Sequence, residues 1–258
     1  MEIKVKCPAK INLDLIVEKK DSKTGFHNIK SIMQAINLFD YLTIKISNGQ
    51  GIKLSGNSDE IPYDEKNICF KAVKLFLEKI KKEYLIEVYI EKNIPVCAGL
   101  AGGSTDASGV LYGLNKLLDY PLTLNELNEL ASLLGSDLNF CLAGGTKMCK
   151  GRGEIIIDMP FFEFDLSLIK PRDLKISARE AYEAFDELEV EPNLRNNLEF
   201  ALLEKYEEIK YLNSLGFQMS GSGPTFFARE KNINLEIDRK KYLVIENLKS
   251  INHGVIEA

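Results

Sequence analysis

Mixed α/β (α+β), in two packed layers, is the fold class that the sequence predicts, on three observations. Runs of period-two alternation and runs at helical spacing are interspersed in both halves of the chain. Hydrophobic residues make up 45% of the 258 positions and charged ones 28%, which is enough apolar material for a buried core without a disulfide or metal staple. No apolar run reaches membrane-spanning length.

Residues 4–17 read as a half-buried strand, because Ile11, Leu13, Leu15 and Val17 alternate with Lys10, Asn12 and Asp14. Lys10 and Asn12 then share one face. A polar turn with Gly25 leads to strands at 29–36 and 42–46, and Asn48, Gly49 and Gly51 punctuate a turn before a strand at 52–54. Ile68, Ala72, Leu75, Phe76 and Ile80 stand at helical spacing, and Ile86, Val88 and Ile90 mark a strand that Pro95 ends. After a Gly-rich stretch, Gly99 to Ser104, the stripe Ala107, Val110, Leu111, Leu114, Leu117 and Leu118 predicts a helix, with Asp106 placed to meet its dipole. A second helix opens at Thr123, with Glu126 at capping-box spacing, and stops at Gly135, where a new turn begins. Strands at 145–150 and 154–157 flank Gly151-Arg152-Gly153, the expected boundary between a domain of residues 1–152 and one of residues 153–258. Beyond it the pattern predicts a strand at 166–169, helices at 178–188 and 198–212, a strand-turn-strand at 217–228, a short helix and a last strand at 242–245.

The net charge is −5, and neither half carries a polybasic field, so a nucleic-acid binder is not expected. All six arginines lie from Arg152 onward, so a phosphate held by the first 150 residues has to be held by lysines, hydroxyls, backbone amides or a metal ion. Five cysteines without a C-x-x-C pair read as reduced thiols, and two histidines make a protein metal cluster improbable. The expectation is a cytoplasmic protein with no membrane partner.

The strand, Gly-rich loop and helix around residues 95–118 are the parts of an anion site, in which glycines let backbone amides approach a phosphate and the helix N-terminus adds partial positive charge. The loop equally suits a plain turn that lets helix and strand pack closely, and Ser104 also suits an N-cap. Walker A and G-x-G-x-x-G patterns are both absent. A second cluster, Met219-Ser-Gly-Ser-Gly-Pro224, reads alone as a hairpin turn, but two Gly/Ser clusters in one chain favour a shared phosphate cleft. Asp137 and Lys10 are the candidate proton-transfer groups, although an Asp after a helix-ending glycine is more often a cap and a strand Lys more often a solvated charge.

In order, the segments starting at Pro8 (Pro-Ala-Lys-Ile-Asn-Leu), at Pro95 (Pro-Val-Cys-Ala-Gly-Leu-Ala-Gly-Gly-Ser-Thr-Asp-Ala) and at Met219 resemble the three motifs of the GHMP kinase superfamily, which phosphorylates galactose, homoserine, mevalonate and related small alcohols. Gly25-Phe-His-Asn, Leu38-Phe-Asp-Tyr, Leu134-Gly-Ser-Asp137 and Gly151-Arg-Gly-Glu154 resemble most the branch that acts on a cytidine-diphosphate-linked methylerythritol. The resemblance implies a two-domain fold, N-terminal like ribosomal protein S5 domain 2 and C-terminal ferredoxin-like, with ATP and Mg²⁺ used to phosphorylate the 2-hydroxyl of that substrate. It implies a monomer or weak homodimer.

Carried over by residue, the resemblance gives Asp137 as catalytic base and Lys10 as its partner. Pro95, Gly99, Leu100, Ala101, Gly102, Gly103, Ser104 and Thr105 would bind the nucleotide, and Asn12, Phe26, His27, Tyr182, Gly221, Ser222 and Gly223 the substrate, with cytosine between the rings of Phe26 and Tyr182. Ala98, Ala101 and Ala178 depart from the family pattern. An alanine at φ > 0 is strained, so a negative φ is expected at Ala101. A mevalonate-type kinase and a ligand sensor without turnover are the rival readings; the cytosine contacts weigh against the first and retention of Lys10 and Asp137 against the second.

Overall fold

The computed structural model describes residues 1–22, 25–233 and 235–258; Lys23 and Thr24 of the expected polar turn, and Asn234, lie outside the described residues. Strand β1 (Glu2–Asn12) is followed by the short β2 (Ile16–Val17) and by the 19-residue β3 (Ile29–Ser47), so the two strands expected at 29–36 and 42–46 are one. β1 and β3 pair antiparallel, and their register shifts once, from Pro8 opposite Phe39 to Ala9 opposite Ile36, leaving two extra residues on β3. Pro8 has no N–H for the ladder, which makes it a natural place for a bulge. Before the bulge β1 alternates between core and solvent. After it both faces are buried: Ala9 and Ile11 join a cluster with Leu166, Leu168 and Phe227, while Lys10 and Asn12 point the other way. The half-buried strand of the sequence reading therefore holds only for its first part.

β4 (Gly51–Gly56), helix α1 (Ile68–Ile80) and β5 (Leu85–Glu91) follow, with β4 and β5 parallel. Helix α2 (Gly102–Leu117) begins inside the Gly-rich stretch and lies directly on the sheet. A Cβ at Gly109 would stand 2.4 Å from Cys7 Sγ and one at Gly113 2.5 Å from Ile44 Cδ1, so these glycines set how closely helix and sheet approach. α3 (Leu124–Leu134) has the expected capping box between Thr123 and Glu126. α4 (Leu138–Ala143), β6 (Thr146–Gly151) and β7 (Ile155–Asp158) complete this part, and β7 pairs with β6 in the first sheet.

The second sheet is built from β8 (Asp165–Pro171), then, after helices α5 (Ala178–Asp186), α6 (Asn197–Leu202) and α7 (Glu207–Ser214), from β9 (Gln218–Met219), β10 (Phe226–Ala228) and β11 (Tyr242–Lys249). Its order β11-β8-β10-β9 is antiparallel throughout, the ferredoxin-like arrangement. Ile169 and Phe226 bury against Ala181, Leu198, Leu202, Ile209 and Leu212 of the helices, and Leu168 and Phe227 against β1. The single helix expected at 198–212 is two, because Tyr206 is extended (φ −137°, ψ 117°) and interrupts it. No helix occurs among the described residues between β10 and β11, where a short one was expected. β11 is not the last strand either: β12 (Ile256–Glu257) returns to pair with β1 in the first, eight-stranded sheet. No helix is long and apolar enough to cross a membrane among the described residues.

Candidate active site

A cleft of ≈ 670 Å³ lies where β1, the loop before α2, the start of α4 and the start of α5 meet. Lys10 and Asn12 enter it from one face of β1, as their spacing requires. Lys10 Nζ donates to Asn12 Oδ1 (2.7 Å) and to Gly99 O (3.0 Å) and stands 3.7 Å from Asp137 Oδ2. The lysine side chain is 4% exposed and the aspartate 29%, so this is a shielded ion pair open to the cleft on the carboxylate side. Asp137 occupies the N-cap position of α4 but makes no side-chain cap hydrogen bond. Its carboxylate is thus directed at Lys10 rather than at the helix. Asn12 Nδ2 donates to Ser31 Oγ (2.8 Å), and Ser31 donates to Asp14 O (2.6 Å), so the Asn12 amide is anchored at one end while its Oδ1 holds Lys10.

Asp137 sits among groups that burial keeps uncharged. Burial, with the nearby Asp137 carboxylate, pushes the Tyr182 phenol up to about 12 and the Cys149 thiol up to about 12, and raises Cys141 further. All five cysteines are free.

The two Gly/Ser clusters touch. Gly99 has φ +71°, and a Cβ there would lie 2.2 Å from Ser220 O; Ser220 Oγ donates to Gly99 O (3.0 Å) and accepts from Asn12 N (3.3 Å). Gly221 (φ +56°) lies against Lys10 and Asn12, and Gly221 and Ser222 line the cleft, whereas Gly223 is folded back on Met219. Asn196, fully buried, holds this turn by donating to Met219 O (2.9 Å) and Gly221 O (2.8 Å) while its Oδ1 caps α6. Nothing in the sequence singles Asn196 out.

Pro95 and Gly99 to Ser104 line the cleft. Four of the sequence expectations here are corrected. Ala101 has φ +59°, not a negative value: it is the N-cap of α2, where the chain must turn left-handed to enter the helix, and it packs on the cluster that holds Ile169, Leu198 and Phe226, which offsets part of a strain of about 1 kcal/mol. Ser104 is inside the first turn, not at the cap. Thr105 is fully buried, with its N–H donating to Ala101 O (2.9 Å), so it does not face the cleft. Asp106, expected to meet the helix dipole, lies beyond the first turn and pairs instead with Lys92 (2.8 Å), which also contacts Asp40.

The aromatic residues are arranged differently from a Phe26–Tyr182 pair. Tyr182 lines the cleft and stacks on His27 (centroids 5.0 Å), whose Nε2 lies 2.7 Å from Asp186 Oδ1 at the end of α5. Phe26 is 54% exposed, with the Arg152 guanidinium 5.2 Å from its ring centroid. Arg152, which the sequence reading placed at a boundary and in a family-like segment but in no binding role, is the one guanidinium that lines the cleft among the described residues. The cleft therefore joins a dipolar loop able to cradle a polyanion to an acid–base pair, with an aromatic rim across α5.

The model of the GHMP kinases N terminal domain matches residues 67–145. A 4-diphosphocytidyl-2-C-methyl-D-erythritol kinase of Syntrophomonas wolfei is 39% identical over 249 residues, covering 86% of this chain and 87% of that protein. One of Clostridium botulinum is 41% identical over 254 residues, covering 86% and 89%. Among solved structures, a 4-(cytidine 5'-diphospho)-2C-methyl-D-erythritol kinase superposes with a TM-score of 0.79 at 25% identity, over 97% of this chain and 99% of that one. A homoserine kinase from Cytophaga hutchinsonii shares the fold, with a TM-score of 0.73 at 17% identity over 100% and 97%.

Proposed function

The chain belongs to the 4-diphosphocytidyl-2-C-methyl-D-erythritol kinases, a branch of the GHMP kinases, and we propose from that premise that it transfers the γ-phosphoryl group of ATP to the 2-hydroxyl of 4-diphosphocytidyl-2-C-methyl-D-erythritol. The observation that carries this reading is the Lys10–Asp137 pair, 3.7 Å apart, in the same cleft as the loop before α2. Residues 1–152 would carry the nucleotide and the acid–base pair, and residues 153–258 the wall bearing Tyr182.

In the transfer, the substrate oxygen forms a bond to the γ-phosphorus, the bond to the β,γ-bridging oxygen breaks, ADP leaves and the alcohol proton passes to Asp137. Lys10, fixed by Asn12 and Gly99 O, sets the carboxylate's position and adds positive charge where negative charge accumulates. The amides of Gly102 to Ser104, at the N-terminus of a 16-residue helix, face the phosphates. Among the described residues no group of three or more His, Cys, Asp or Glu side chains could hold a metal ion. The hydroxyl oxygens that line the cleft suit Mg²⁺, a hard cation that takes oxygen ligands and completes its shell with nucleotide phosphates and water. Ser104 and Ser136 are the cleft hydroxyls that would hold it, leaving Asp137 to take the proton, and it would neutralise charge on the nucleotide phosphates.

A coupled ADP-release assay over the cytidine-diphosphate alcohol, mevalonate, phosphomevalonate and homoserine tests the reading. Turnover with the first alone is expected, and comparable turnover of mevalonate would overturn it. Two variants separate the halves of the site. A Cβ at Gly103 would stand 3.8 Å from Ile68 Cγ2, an ordinary contact, and Gly103→Val should weaken ATP about tenfold or more by holding phosphate off the loop amides. Gly102→Val is the poorer test, since a Cβ there stands 3.1 Å from Lys92 Nζ. An unchanged ATP-induced thermal shift in Gly103→Val would reject the loop as the cradle. Tyr182→Ala should raise KM for the cytidine substrate about 5- to 150-fold, the range for loss of one base-stacking ring, with kcat nearly preserved. Unaltered CDP affinity by calorimetry would place the base elsewhere.

A further inference from the structure

A second cavity, of ≈ 310 Å³, opens on the other side of the Pro95–Val96 segment from the catalytic cleft, and Lys92, Pro95 and Val96 line both. Its cationic wall is Lys170 at the end of β8, with Arg172 and Lys175 in the loop that follows; Ser58, Glu60 and Asn93 face them. Lys170 is 7% exposed. Its Nζ donates to Pro171 O (2.9 Å) and Leu174 O (3.2 Å), and it has no carboxylate within ion-pair distance among the described residues. Burial accordingly pushes this ammonium below the usual lysine range. Lys175 is matched by Glu60 (2.8 Å), and Arg172 Nε donates to Arg239 O (3.1 Å) and leaves the rest of its guanidinium to solvent. Apart from Lys92, which Asp40 and Asp106 neutralise, three cations against one lining carboxylate leave the cavity with a surplus of about two positive charges, one of them buried. A buried charge without a counter-charge is expensive, and an anion in the cavity would remove that cost.

We propose that this cavity is a second, non-catalytic anion site that takes a small molecule bearing a phosphate or diphosphate group. Lysine and arginine donors converging on a space of this size suit a compact polyanion better than a single carboxylate. The position gives binding a consequence for the cleft. Lys175 is followed at once by Ile176, Ser177 and Ala178, which line the catalytic cleft and lead into the helix carrying Tyr182; the facing wall, Asn93 to Val96, leads into the loop before α2. An anion held between the two walls ties the aromatic side of the cleft to the nucleotide side. The site stands whichever alcohol the catalytic cleft accepts.

The test is calorimetric titration of inorganic diphosphate into the full-length protein saturated with a non-hydrolysable ATP analogue, so that the loop before α2 is already filled. One further binding event is expected, weakened at least tenfold in Lys170→Met. The Arg172→Ala/Lys175→Ala double variant changes only exposed side chains and should fold normally by circular dichroism while losing affinity at least tenfold. It keeps the test decisive if Lys170→Met fails to fold. No heat of binding with the loop filled, or an unaltered affinity in the folded double variant, would overturn the proposal.

Discussion

Asp137→Asn should lower kcat by about 10² to 10⁴, the usual worth of a general base, while the melting temperature and the ATP affinity stay near those of the unaltered protein. The fold should survive because the carboxylate makes no cap hydrogen bond to α4, so the amide replaces nothing the helix needs. Lys10 keeps its bonds to Asn12 Oδ1 and Gly99 O, and its position does not depend on the lost charge. ATP should bind as before, since its phosphates are held at the loop amides. What the amide cannot do is accept the proton of the attacking hydroxyl. The measurement is steady-state ADP release at saturating ATP and cytidine-diphosphate alcohol, with ligand-induced thermal shifts as the binding control. A rate within threefold of the unaltered protein would mean that Asp137 is the ordinary turn residue and that the base lies elsewhere.

The parts of the fold with local signals were legible in the sequence. The Thr123–Glu126 box and Gly135 bracket α3 because capping satisfies the helix's own orphan amides and carbonyls, a matter of residues three or four apart. Lys10 and Asn12 share a face because alternation alone fixes it. That Lys10 reaches Asp137, 127 positions away, is not local, and only the resemblance to a kinase family pointed to it. The misses share that cause. Asn196 looks like any loop asparagine until the turn at Met219 to Gly221 closes over it. Asp186 reads as a helix-end acid, and its partner His27 is on another element altogether. Ala101 shows the converse: local propensity argues against φ > 0, and the geometry of entering α2 overrides it. Asp106 reads as a dipole-facing acid and nothing local marks Lys92 or Asp40, yet the three side chains meet in the interior.

That buried triad supplies the other large expected effect. Lys92→Met should cost about 3 to 5 kcal/mol of stability, the usual loss when one partner of a buried ion pair is removed. The side chains of Lys92, Asp40 and Asp106 are 5%, 0% and 3% exposed, so the variant strands two carboxylates in the interior. Asp40 keeps help from the amides of Asn93 (2.6 Å) and Ile94 (2.8 Å), but Asp106 Oδ1 has no hydrogen-bond partner among the described residues. Asp106 is therefore the group that gains most from a proton. Burial already pushes its carboxyl well above the usual carboxylate range, against the pull of Lys92, and removing the lysine raises it further. A carboxyl whose pKa is higher folded than unfolded binds more protons in the native state, so its contribution to stability is greatest at low pH and declines as pH rises from about 4 toward the folded value. In Lys92 the two carboxylates outweigh burial and hold the ammonium pKa above its usual range, so the contribution of Lys92 is intact at every pH below about 10. Urea unfolding at pH 5 and pH 8 should accordingly show a smaller loss in Lys92→Met at pH 5. Adding Asp106→Asn should recover part of the loss at pH 8, since it removes one stranded charge. Equal losses at the two pH values, or a loss under 1 kcal/mol, would show that the triad is hydrated and contributes little. In whatever fraction stays folded, ATP binding should weaken as well, because Lys92 Nζ lies beside the first turn of α2, 3.1 Å from where a Cβ of Gly102 would stand, and holds Asp106 of that helix.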